Sequence, residues 1–144
     1  MIVTSSGLRI PETLRRAAAW GSGRVLKAQG PDSRMEASVA FVTASRIRSL
    51  NHKFRGKNKV TDVLSFPLDE EIEGRRHAGD VVICLSRAKQ QALAMKHPLV
   101  REVLLLAVHG TLHLLGFKHH GTSPDPMRKI EKKILAEWKG SLRP

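Results

Sequence analysis

The sequence predicts an α+β fold: a single domain over residues 1–144, with a small mixed β-sheet packed with helices around a central histidine-bearing helix. Three observations carry this. Strand-like and helix-like stretches are mixed without strict alternation, which argues against a doubly wound sheet. The apolar run Val103 to Leu115 places one helix at the centre of the domain. A chain of 144 residues suits one domain and builds a core without disulfide support.

In chain order, Ile2 to Thr4 predicts a short first strand. Pro11 to Lys27 predicts a helix with Pro11 at its first turn and Leu14, Ala17, Ala18 and Val25 at core positions. Gly30-Pro31-Asp32 is a turn, Glu36 to Thr43 favours a strand, and Ala44 to His52 predicts a helix with Ile47 and Leu50 inward. A loop from Phe54 to Lys59 leads to a strand over Thr61–Pro67, closed by Pro67 at an end or edge. Asp69 to Ala78 is charged and turn-rich and predicts a surface loop, followed by a short buried strand over Gly79–Cys84. Ser86 is the expected cap of a helix to Met95, Pro98 opens the central helix to about Leu115, and Ser123-Pro124 starts a last helix with Ile130, Ile134 and Leu135 on one side.

Composition narrows the function. The amino terminus lacks signal-peptide order, the longest apolar run is too short for a membrane span, and the single Cys84 forms no internal disulfide, so a cytoplasmic protein without membrane attachment is expected. The net charge of +12 points to a polyanionic partner. Between Arg46 and Lys59 stand six Lys or Arg and no acid. A second cluster, Arg128, Lys129, Lys132, Lys133, Lys139 and Arg143, is diluted by Glu131 and Glu137. Aromatics are scarce, so contact with a phosphate backbone is favoured over a platform for stacked bases.

The chemistry-bearing run is His109 to His119. His109 and His113, four apart, share a helical face at roughly 5–6 Å between Cβ atoms. Gly116 permits the positive φ that turns the chain back, and His119 follows where a third ligand is needed, with His120 as its fallback. Three imidazoles leave a fourth position on tetrahedral zinc open for water. Nickel, iron and copper also accept such ligands. His52, His77 and His97 have no partner at ligand spacing and read as surface or capping residues. The H-x-x-x-H-x-x-G-x-x-H spacing matches metzincin peptidases, except that Gly110 stands in place of the glutamate that serves them as base. Peptidase chemistry is demoted accordingly.

Asn51 to Pro67, with Arg55-Gly56-Lys57 and Thr61-Asp62-Val63-Leu64-Ser65-Phe66-Pro67, resembles the R-G-K-x-x-x-T-D-V-L-S-F-P segment of the bacterial YbeY family. Gly79 to Ile83 resembles that family's G-D-I-x-I strand, and His109 to His119 its H-G-x-L-H-L-x-G-Y-D-H signature. The resemblance implies a metal-dependent endoribonuclease of rRNA maturation. It implies one Zn2+ per chain held by His109, His113 and His119, and Arg55 as the catalytic group that stabilises phosphate charge. Arg55, Lys57 and Lys59 are then the RNA contacts. Asp62 either orients Arg55, accepts a proton or serves as a strand-entry residue. Lys118 stands where the family carries aspartate and Phe117 where it carries tyrosine; neither change removes a ligand. The expected function is a zinc-dependent, single-strand-specific endoribonuclease acting on rRNA of the small ribosomal subunit, at the 16S 3′ end, with ribosome-assembly proteins as further partners and no DNA. The alternative is a non-catalytic, zinc-containing rRNA-binding assembly factor.

Overall fold

The computed structural model describes residues 2–5, 7–32, 34–118 and 125–140. Along the chain these form β1 (Ile2–Ser5), α1 (Glu12–Gln29), β2 (Met35–Val42), α2 (Ala44–Arg55), β3 (Val63–Ile72), β4 (Arg75–Cys84), α3 (Leu85–Met95), α4 (Leu99–Leu114) and α5 (Pro126–Glu137). The four strands make one mixed sheet in the order β1-β2-β4-β3, parallel except for the antiparallel β3–β4 pair. The α+β class expected from the sequence is the one the chain adopts.

Alternation along β4 assigns the two faces of the sheet. Val81 and Ile83 join the main core with Leu14, Val25, Val103, Leu104 and Val108 of α1 and α4. Val82 and Cys84, one residue out of phase, join Ile47 of α2 and Leu64 of β3 in a smaller cluster on the opposite face. α4 and α2 therefore flank the sheet from opposite sides, and β3 is the edge between them. α1 lies close to α4: a Cβ on Gly21 would stand 2.9 Å from Leu104 Cδ1. The buried hydroxyls of Ser22 and Thr111 share a 2.6 Å hydrogen bond between the two helices.

Four boundaries differ from expectation. Helix α2 runs on through Phe54 and Arg55, because the last turn closes on Gly56 in the left-handed conformation at φ 69°. β3 does not stop at Pro67; it continues to Ile72, with a register shift between Pro67 and Glu70 that accommodates the missing N–H on an edge strand. The expected loop over Asp69–Ala78 is instead the outer part of a β3–β4 hairpin, turned by Glu73 and Gly74 at φ 51° and 76°. Its opposite charges face one another across strands: Arg76 clamps Asp69 with bonds of 2.7 and 2.9 Å, and Arg75 pairs with Glu36 of β2. Ser86 does not cap α3, whose N-cap is Cys84; its hydroxyl instead contacts the Cys84 thiol. Ser123 and Pro124 lie outside the described residues, and α5 is capped by Asp125, whose carboxylate accepts from Met127 N and Arg128 N.

Candidate active site

The central helix delivers the first two residues of the site. On α4, His109 and His113 stand one turn apart with ring centroids 4.5 Å apart and edge-to-face, and their Nε2 atoms lie 3.0 Å from each other. Two ligands of one tetrahedral zinc, each bonded at about 2.0–2.1 Å, stand about 3.3 Å apart. The pair thus fits a shared metal ion with little adjustment.

The other nitrogen of His109 is also assigned. Nδ1 lies 2.8 Å from Oε1 of Glu131, a buried carboxylate on α5. A carboxylate beside Nδ1 holds the proton there, so Nε2 keeps its lone pair for a metal. In the sequence Glu131 stands only as an acid diluting a basic cluster. The overlooked signal is its position: it follows Met127 by four residues and precedes Ile134 by three, on the face of α5 that is buried. Glu137, the other diluting acid, pairs with Arg24 of α1 at 2.7 Å.

Gly110 turns the opposite way, onto the sheet. An added Cβ would meet Val81 Cγ1 at 2.6 Å and Ser65 Oγ at 3.2 Å. The Ser65 hydroxyl donates to the Gly110 carbonyl at 2.8 Å, fastening α4 to the edge strand. A side chain here has no room unless Val81 shifts. The position is a packing site rather than a base that was lost.

The second wall comes from α2. Thr43 caps its start by accepting from Arg46 N at 3.3 Å, and its buried Asn51 donates from Nδ2 to Lys59 O at 3.0 Å, folding the following basic loop against the helix. That arrangement leaves Arg55 exposed at the helix terminus. Among the described residues it pairs with no carboxylate. Asp62 is not its partner. One Asp62 oxygen accepts from Val63 N at 2.8 Å and the other from Gln91 Nε2 at 3.2 Å, so Asp62 ties the start of β3 to α3.

Between the walls lies a cleft of about 560 Å³ that straddles edge strand β3. His109 and His113 line it from α4, Phe54 and Arg55 from α2, and Val63, Ser65, Phe66 and Pro67 from β3. The structure thus gathers Arg55, His109 and His113 on one cleft. Lys57 and Lys59 are exposed on the loop beyond and do not line it. Gly116 has the expected positive φ, 92°. His119 and its fallback His120 lie outside the described residues, and among the described residues no group of three His, Cys, Asp or Glu is gathered as a ligand set. His97, expected at the surface or as a cap, contacts buried Glu102 at 2.6 Å where α3 turns into α4.

Comparison with known proteins agrees in several ways. The family model described as Endoribonuclease YbeY matches residues 5–139. Endoribonuclease YbeY of Geobacillus kaustophilus (strain HTA426) is 50% identical over 114 residues, covering 72% of this chain and 72% of that protein. Endoribonuclease YbeY of Pelotomaculum thermopropionicum (strain DSM 13744 / JCM 10971 / SI) is 40% identical over 132 residues, covering 88% of this chain and 87% of the relative. The solution structure of TM1509 from Thermotoga maritima superposes with a TM-score of 0.62 at 28% identity, over 94% of this chain and 87% of the other.

Proposed function

Because the chain belongs to the Endoribonuclease YbeY family, we propose that it is a zinc-dependent, single-strand-specific endoribonuclease. Its place in this reading is rRNA maturation, at the 3′ end of 16S rRNA, with ribosome biogenesis and quality control as the wider role. The partners are RNA of the small ribosomal subunit and ribosome-assembly proteins, in the cytoplasm. No helix among the described residues is long and apolar enough to cross a membrane.

The observation that carries this reading is the convergence of the His109 and His113 Nε2 atoms on one side of the cleft with Arg55 on the other. In this proposal His109, His113 and His119 hold one zinc ion. When bound, zinc supplies Lewis acidity towards a phosphoryl oxygen and lowers the pKa of a coordinated water. Glu131 keeps the His109 proton on Nδ1, so the ligating nitrogen stays available. Arg55 forks onto two non-bridging phosphate oxygens and offsets the charge that grows on them as the phosphodiester is attacked. Lys57 and Lys59 lie further along the same basic segment and hold flanking phosphates.

The test compares the purified protein with His113→Ala and Arg55→Ala on single-stranded and duplex RNA. Loss of cutting in both variants, by about 10²-fold or more for the arginine, is expected. Equal cutting by all three preparations overturns the enzyme reading and leaves the non-catalytic, zinc-containing rRNA-binding factor in its place. Product ends identify the nucleophile: a 2′,3′-cyclic phosphate means the ribose hydroxyl attacked, and a 3′-hydroxyl opposite a 5′-phosphate means water did.

A further inference from the structure

Phe54 is an exposed aromatic with no core to join. On α2 it follows Ile47 by seven residues and buried Asn51 by three, so it lies on the helix face directed at the sheet. Even so, 57% of Phe54 remains exposed. Among the described residues its aromatic neighbour is Phe66 of β3, edge-to-face with centroids 5.3 Å apart. Phe66 is half-buried in the smaller core cluster and acts as a rigid backstop. Lys53 Nζ sits 5.3 Å from the Phe54 ring centroid. Phe54 lines the same cleft as Arg55, His109 and His113.

We propose that Phe54 is the stacking residue of the cleft, taking the nucleobase beside the phosphate that Arg55 holds. The inference rests on the endoribonuclease reading and adds a base contact to it. A phenyl ring braced by Phe66 is partly ordered before RNA arrives, and a base that displaces the exposed Lys53 ammonium from the ring lays its own π-face there. The adjacent Arg55 and Lys53 give the nucleotide's phosphates cationic neighbours on the same turn. Stacking also demands an unpaired base, so Phe54 is a source of preference for single strands.

The test uses the full chain with its metal and an RNA oligonucleotide carrying 2-aminopurine beside the cleavage position. Phe54→Leu keeps an apolar contact with Phe66 but removes the ring, and Phe54→Trp restores a larger one. Quenching of 2-aminopurine on binding to the parent, its loss in Phe54→Leu, a KM raised about tenfold and recovery in Phe54→Trp are expected. An abasic nucleotide at the same position should weaken the parent similarly but leave Phe54→Leu no worse. Unchanged quenching and KM in Phe54→Leu, or a leucine variant that loses as much again on the abasic substrate, overturns the proposal. A parent that does not cut RNA at all overturns the endoribonuclease reading instead, and 2-aminopurine quenching then still reports on the stack.

Discussion

An added methyl at Gly110 would have to displace Val81, a fully buried residue in the centre of the sheet. Gly110→Ala is therefore expected to cost about 1–3 kcal/mol of stability, the usual penalty for overpacking a tight core. Val81→Ala in the same chain should return part of it. Thermal unfolding of the two single variants and the double variant measures this coupling, and strict additivity would contradict the packing account. Glu131 makes a second residue-scale prediction. Replacing its carboxylate by an amide in Glu131→Gln keeps the shape but removes the charge beside His109 Nδ1. Zinc affinity, measured by competition with a chelating dye, should fall about 10- to 100-fold while the fold is retained. The histidine spacing was readable in the sequence because a one-turn repeat on an apolar helix is a local property. The reason for Gly110 and the partner of His109 were not. Both depend on which elements pack against α4, and that is set by contacts 29 and 22 residues away.

At the scale of elements, the β3–β4 hairpin shows how charge can disguise a strand. Residues 69–78 carry a block of acids, a glycine and then a pair of arginines, the usual marks of a loop, yet Glu71 faces Arg76 and Glu70 faces His77 across the ladder. Cross-strand pairing supplies what the missing apolar face does not. Asp69 is held below the usual carboxylate range, first by its hydrogen bonds from Arg76 and then by that guanidinium's charge. A group with a depressed folded pKa contributes above its unfolded value and loses that contribution as pH falls through the folded one. Protection of the hairpin amides against hydrogen exchange should therefore be flat at neutral pH and decline only as pH drops below the ordinary carboxylate pKa. Asp69→Asn should remove that decline. The opposite error occurred at α2, whose last turn read as loop because Arg55-Gly56-Lys57 looks like a polar connection. Gly56 is the stop signal, and Phe54 and Arg55 are the turn before it. That correction matters to the site, because both side chains project from a helix terminus of fixed geometry instead of from a mobile loop.

For the whole molecule, the two faces of one sheet meet at its edge. α4 brings the histidines from one side, α2 brings Arg55 from the other, and β3 forms the floor between them. The sequence motifs named both walls, but the edge position of β3 follows from strand order, which no local pattern encodes. The net charge of +12 belongs to this scale as well. RNA affinity should fall with salt at a log–log slope of about −0.7 for each phosphate neutralised on a single strand. Lys57→Ala with Lys59→Ala should then lower the slope by about 1.4 without changing which bond is cut. A titration of binding against potassium chloride checks it; an unchanged slope would remove both lysines from the RNA path.

Glu131 joins the growing chain 22 residues after the histidine it orients. At about 5–20 residues per second, one to several seconds pass on the ribosome between the two. α5 docks on α4 only after that interval, so an element made after the strands and the histidine helix is the one that fixes the His109 tautomer. The carboxylate–histidine pair is therefore assembled late, by a helix that follows every strand and α4 in the chain.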